Sequence, residues 1–162
     1  MSPQTSLETI HKFLSQKRFA MVGVSRESHS FSVMLFQELL QRGYDVVPVN
    51  PRTPNVLGHA CFAHVQDVTP PVKAALLITS PQVTETVVAD CARAGIRLIW
   101  MHRGVGAGAT SPKAVAFCQA QGIEVIAGEC PFMFLHASGG VHRIHGFLHK
   151  ITGRYPKAAI AA

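Results

Sequence analysis

Four short polar stretches carry the side chains that could do chemistry in this chain: Gly23-Val24-Ser25-Arg26, Asn50-Pro51-Arg52, Thr79-Ser80-Pro81 and His102-Arg103-Gly104. Each follows an apolar run. The first suits an anion, because serine hydroxyls donate to phosphate oxygens and Arg26 adds positive charge. Gly23, Ser25 and Ser28 occupy the three glycine positions of the G-x-G-x-x-G dinucleotide fingerprint, so only its first glycine is kept. The plainer reading is that Gly23 makes a tight turn and the serines are helix caps.

The second stretch narrows the ligand. An NAD enzyme places Asp or Glu near this point to hold the ribose hydroxyls, whereas here the residues are Asn50, Pro51 and Arg52. An arginine suits a ribose that carries a phosphate, which fits NADP or coenzyme A better than NAD. As plain structure, Asn50-Pro51 is a turn and Arg52 a solvated side chain. His102, with Arg103 and with Glu129 or Cys130 on a neighbouring strand end, could form an acid–base pair. Geometry must precede such a role, and a hydrogen bond to a ligand or a simple place in the loop asks less. No catalytic residue is assigned.

The remaining reactive side chains point less far. Cys61, Cys91, Cys118 and Cys130 contain no C-x-x-C pair, which argues for reduced thiols rather than a zinc or thioredoxin-type site. Three pack as small hydrophobes; Cys130, in a Gly-Glu-Cys-Pro turn, lies where an exposed thiol could react. His142, His145 and His149 share one helical face, but no acidic residue accompanies them, so a solvated basic face is expected and no metal. Residues 141–157, with Phe147 and Tyr155 among basic side chains, could also touch nucleic acid, although no recognised motif surrounds them.

The elements that hold the four stretches follow from periodicity. Apolar runs at 19–24, 45–49, 72–79, 97–101 and 123–127 read as strands buried on both faces. Between them, apolar spacing predicts helices over 31–40, 82–94 and 111–121, and a leading helix within 1–17 capped by Ser6 or Thr5. Gly43 and Gly95 stop helices, and Pro81 fits a first helical position. Residues 55–68 form an irregular connection with room for a short edge strand or a helical turn. The alternation predicts an α/β fold: a doubly wound, mostly parallel five-stranded Rossmann-like sheet with helices on both faces. In such sheets ligands sit outside the carboxyl ends of the strands, and the four polar stretches converge there.

Composition sets the outer bounds. At 162 residues, 48% hydrophobic and 15% charged, the chain is expected to be one domain over 1–131 with a basic extension over 132–162 that packs on the domain or on a second copy. No apolar run is long enough for a bilayer, and the first residues lack a signal-peptide pattern, so a cytoplasmic location is expected. Net charge is +6, which favours an anionic small-molecule partner but cannot choose one.

VGVSRESHSFS, YDVVPVNPRTPNVLG, Thr79-Ser80-Pro81 and WMHRGV, in this order and spacing, resemble the small CoA-binding domain proteins. Those are similar to the nucleotide-binding domain of the succinyl-CoA synthetase α subunit. The resemblance covers roughly 17–131 and implies a Rossmann-like domain holding coenzyme A. It further implies that Gly23, Ser25 and Arg26 meet phosphates, Asn50, Pro51 and Arg52 the nucleotide end, and Thr79, Ser80 and Pro81 the adjoining edge. His102 stands where the family often has glutamine. Synthetase chemistry needs further domains, so the expectation is a binding or regulatory module; the alternatives are an NADP-dependent oxidoreductase using the same loops and a nucleic-acid contact through 141–157.

Overall fold

The fold was examined in a computed structural model that describes residues 5–104, 106 and 108–135. The elements follow in order: α1 (Leu7–Leu14), β1 (Arg18–Val22), α2 (Phe31–Gln41), β2 (Asp45–Val49), β3 (Asn55–Val56) and β4 (His59–Ala60). A single 3-10 turn, Val65–Asp67, leads to β5 (Ala74–Leu77), α3 (Pro81–Arg93), β6 (Leu98–His102), α4 (Pro112–Ala120) and β7 (Glu124–Glu129).

Five strands form one sheet in the order β2-β1-β5-β6-β7, and every neighbouring pair is parallel. This is the expected α/β Rossmann-like arrangement. The side-chain period of two sends Phe19 and Met21 to one face of β1 and Ala20 and Val22 to the other, and both sets are buried. The first face carries α1 and α2 over Trp100 and Ile126; the second carries α3 and α4 over Val49, Leu77 and Met101. Each large side chain so buried contributes about 1.5–3 kcal/mol. Trp100, fully buried, still satisfies its indole N–H on the Glu129 carbonyl at 2.9 Å.

The ends of the elements are fixed by local chemistry. Ser6 caps α1, Ser30 caps α2, Ser80 caps α3 and Ser111 caps α4, each side chain accepting a backbone N–H three residues on. The irregular connection resolves into a β3–β4 hairpin, turned by Leu57 and Gly58 at φ 50° and 80°, and the 3-10 turn. Pro131–Met133 makes a further 3-10 turn that folds Phe132, Phe134 and Leu135 into the core. No helix among the described residues is long and apolar enough to cross a membrane. The histidines at 142, 145 and 149, and the basic segment 141–157, lie outside the described residues.

Strand order reverses at β1. The chain leaves β1 towards β2 on one side and returns to β5 on the other, so a crevice opens between the carboxyl ends of β1 and β5. Gly23 sits at that crevice with φ +93°, and a Cβ there would lie 2.7 Å from the Ile78 carbonyl oxygen. β1 accordingly stops at Val22, two residues before its apolar run ends. Gly23→Ala should therefore combine left-handed strain with a backbone clash, costing at least about 2–3 kcal/mol in denaturant unfolding. Gly43→Ala, at φ +83° with nothing within 4 Å, should cost only about 1 kcal/mol; equal losses would mean that the close approach at Gly23 is immaterial.

Candidate functional site

A cavity of about 650 Å³ opens at the β1/β5 crevice. Its floor and rim are Gly23 after β1, Asn50, Pro51 and Arg52 after β2, and Thr79 and Ser80 after β5. Thus six of the ten expected ligand-contacting residues are brought together by three loops. Pro81, Ser25, Arg26 and His102 do not line this cavity.

Each loop is held by its own hydrogen bonds. Asn50 is committed at both ends of its amide: Nδ2 donates to the Val24 carbonyl and Oδ1 accepts from the Arg52 N–H, both at 2.8 Å. That ties the loops after β1 and β2 together and fixes Pro51 and Arg52 at the rim. Arg52 is exposed and forms no ion pair among the described residues. Thr79 shares a 2.6 Å hydroxyl contact with buried Thr84, and Ser80 caps α3, with Pro81 at a first helical position.

Two walls of the cavity escaped the sequence reading. Gln82, Val83, Thr86, Val87 and Asp90 form one side; their spacing along α3 places them on a single helical face. Ala63, His64 and Val65 form the other. The one available signal was Val83, a valine in a first turn that caps and prolines otherwise dominate, and it is 48% exposed. His64 had none, because its place depends on how the irregular connection folds back. Asp90 already pairs with Arg93, so the carboxylate in this cavity has its charge offset.

The serine-rich turn lies towards the amino end of α2. The Ser25 N–H donates to Ser32 Oγ at 2.9 Å, and Ser25 Oγ accepts the Glu27 N–H at 3.0 Å. Ser30 Oγ accepts the Val33 N–H at 3.3 Å. These serines act as turn and cap, as in the plainer reading, while Arg26 and Ser28 are exposed. Because the turn leads straight into α2, the positive end of that helix faces the same strand ends.

His102 closes β6 on the α2 face. It is 8% exposed, its ring stacks on Phe31 with centroids 4.7 Å apart, and its Nε2 has no partner among the described residues. Burial lowers its pKa from 6.5 to about 4, so the imidazole is neutral at physiological pH. Glu129 is its register partner on β7, and burial also raises that carboxyl's pKa. Cys130 departs from expectation. The 3-10 turn after it covers the sulfur, leaving Cys130 1% exposed, and burial pushes its thiol up to about 11. A reactive exposed thiol is therefore not found there; Cys61 is the half-buried one of the four.

A family model described as "CoA binding domain" matches residues 17–136. Among solved structures, a hypothetical protein from Pyrococcus horikoshii OT3 is similar at 24% identity and TM-score 0.72, covering 91% of this chain and 94% of that one. A conserved hypothetical protein from Pyrococcus furiosus is similar at 26% identity and TM-score 0.61, covering 67% and 90% respectively. A dinucleotide-forming acetyl-coenzyme A synthetase 1 from Ca. Korarchaeum cryptofilum is similar at 22% identity and TM-score 0.63, covering 74% of this chain but 27% of that one.

The depressed His102 pKa has a thermodynamic consequence. Between its unfolded value of 6.5 and its folded value of about 4, the unfolded chain binds more protons than the native one, so stability falls as pH falls through that window. His102→Gln removes this contribution. The melting temperature of the variant should therefore decline less than that of the parent between pH 6.5 and 4; parallel declines would show that His102 titrates normally.

Proposed function

The chain belongs to the CoA-binding domain family, and from that premise we propose that it is a binding module for coenzyme A or an acyl derivative, with the nucleotide end in the β1/β5 cavity. The observation that carries this reading is the rim of that cavity. At the end of β2, where a carboxylate would hold an unphosphorylated ribose, the chain has Asn50 locked in a turn and Arg52 unpaired beside it. A guanidinium so placed favours a ribose phosphate. His64, across the cavity, adds a further donor.

The residues present fit such a ligand in shape as well as charge. Gly23 keeps the crevice floor free of a side chain where a Cβ would strike the Ile78 backbone. Val83 and Val87 supply an apolar wall for a base, and Thr86 and Gln82 supply hydrogen-bonding groups beside it. Ser25 and Arg26, at the amino end of α2, would hold the diphosphate. The cavity's hydroxyls serve as caps and hydroxyl contacts, which supports binding rather than turnover.

Ligands that bind the native state raise its melting temperature by mass action. Stripped protein should be stabilised by coenzyme A, less by dephospho-coenzyme A, and Arg52→Ala should reduce that difference, lowering coenzyme A affinity about five- to tenfold by calorimetry. NADP and NAD complete the comparison. Stabilisation by NADP alone would replace this reading with a reductase, and no difference between the two coenzyme A forms would remove Arg52 from the site.

A further inference from the structure

Three buried side-chain polar atoms among the described residues lack a partner: Arg18 Nε, Thr110 Oγ1 and His102 Nε2. Arg18 satisfies the rest of its guanidinium on Asp45 and on the carbonyls of Thr69 and Pro70. Thr110 carries a hydroxyl that rotates freely. His102 is a different case, because a desolvated ring nitrogen in an aromatic setting is costly to leave unmade and calls for an explanation.

Gly104 supplies one. A Cβ built on it would stand 3.4 Å from His102 Cε1 and 3.5 Å from Nε2, and beyond its chain neighbours nothing else described comes within 4 Å. Unfilled space therefore adjoins the Nε2 edge. The surroundings are apolar: Phe31 stacks on the imidazole, and Phe132 meets Phe31 edge-on with centroids 5.6 Å apart. A neutral ring in such walls can serve a neutral hydrogen-bonding group but not a phosphate. β6 lies two strands from β1, roughly 10 Å at the usual strand spacing. That distance separates it from the nucleotide cavity along the same edge of the sheet.

The geometry points to a second ligand subsite at the carboxyl end of β6, in which His102 Nε2–H donates to a carbonyl of the ligand's non-nucleotide arm and Phe31 and Phe132 form its wall. The inference rests on the coenzyme A reading, whose arm carries amide carbonyls and, when acylated, a thioester carbonyl. Both are the same acceptor to His102. The side of the sheet that holds α2 thus serves the arm, while the side that holds α3 serves the nucleotide.

The test separates the two halves of the ligand. Calorimetry with coenzyme A, acetyl-coenzyme A and adenosine 3′,5′-bisphosphate, which lacks the arm, is run on the parent, His102→Ala, His102→Gln and Gly104→Ala. His102→Ala should lose about tenfold in coenzyme A affinity and nothing in bisphosphate affinity, with His102→Gln retaining most of it through its amide donor. Gly104→Ala, which fills the space beside Nε2 without touching the ring's packing, should show the same selective loss even if His102→Ala proves too unstable to assay. A larger loss for acetyl-coenzyme A assigns the thioester carbonyl, and equal losses assign an amide. In the parent, the His102 Nε2 resonance should move with coenzyme A and stay put with the bisphosphate. Losses shared equally by both ligands, or no loss in either variant, would overturn the subsite. A parent that binds the bisphosphate no more weakly than coenzyme A would overturn it too, while leaving the nucleotide site standing. Failure of the parent to bind any of the three would instead bring down the coenzyme A reading and the subsite with it.

Discussion

The backbone of Gly23 against the carbonyl of Ile78 is the contact on which the site depends. With a Cβ at residue 23, the oxygen would be 2.7 Å away, so the ends of β1 and β5 can approach as they do only because residue 23 has no side chain. Two backbone bonds lock the arrangement: Gly23 N–H to the Val49 carbonyl at 2.9 Å and Ile78 N–H to the Val22 carbonyl at 2.8 Å. From this three-strand junction the loops after β1, β2 and β5 all depart. Loop side chains add little to the core, so the positions of Asn50, Arg52 and Ser80 are set by the junction rather than by their own packing.

Electrostatics sharpen what the backbone places. Carboxylates near the cavity are already engaged: Asp90 with Arg93, and Glu85 with Ser111 at 2.7 Å. Arg52 and Arg26, by contrast, form no ion pairs among the described residues. The strand ends therefore present unopposed positive charge together with the amino end of α2, a combination that favours a multiply charged anion. Exposed charges of this kind are screened by salt, so they steer and select more than they anchor. The apolar face of α3, with Val83 and Val87, is left to supply the salt-independent part of the affinity.

Much of this was legible in the chain itself. Apolar runs bounded by glycine, proline and serine located all five strands and four helices, because burial on both faces leaves a parallel strand little freedom of composition. The loops after β1, β2 and β5 were legible for the same reason: each breaks an apolar run. The α3 wall was not, since Gln82, Thr86 and Asp90 look like any solvated helix face until the 3-10 turn is folded against them. Nor was the burial of Cys130. A Cys-Pro step reads as an exposed turn, and only the return of Phe132, Phe134 and Leu135 into the core hides the sulfur. Asn50 was placed correctly at the rim, but its internal role could not be read, because a side-chain bond to Val24, 26 residues away, leaves no local trace.

His102 shows how a doubly wound sheet can divide one elongated ligand between its two faces. Along β6 the side chains alternate, so Met101 enters the core beneath α3 and α4 whereas Trp100 points to the opposite face under α1 and α2. His102, one residue beyond Met101, falls on the α2 face against Phe31. Phe31 is also the first residue of the helix whose amino end faces the strand ends. One helix start can therefore contribute backbone charge to one part of a ligand and an aromatic wall to the next. The unpartnered nitrogen has a cost in stability that an apolar residue of similar volume would not carry. Its retention beside a glycine that leaves the Nε2 edge uncovered is best understood as room kept for a carbonyl, because a purely structural core would have filled both.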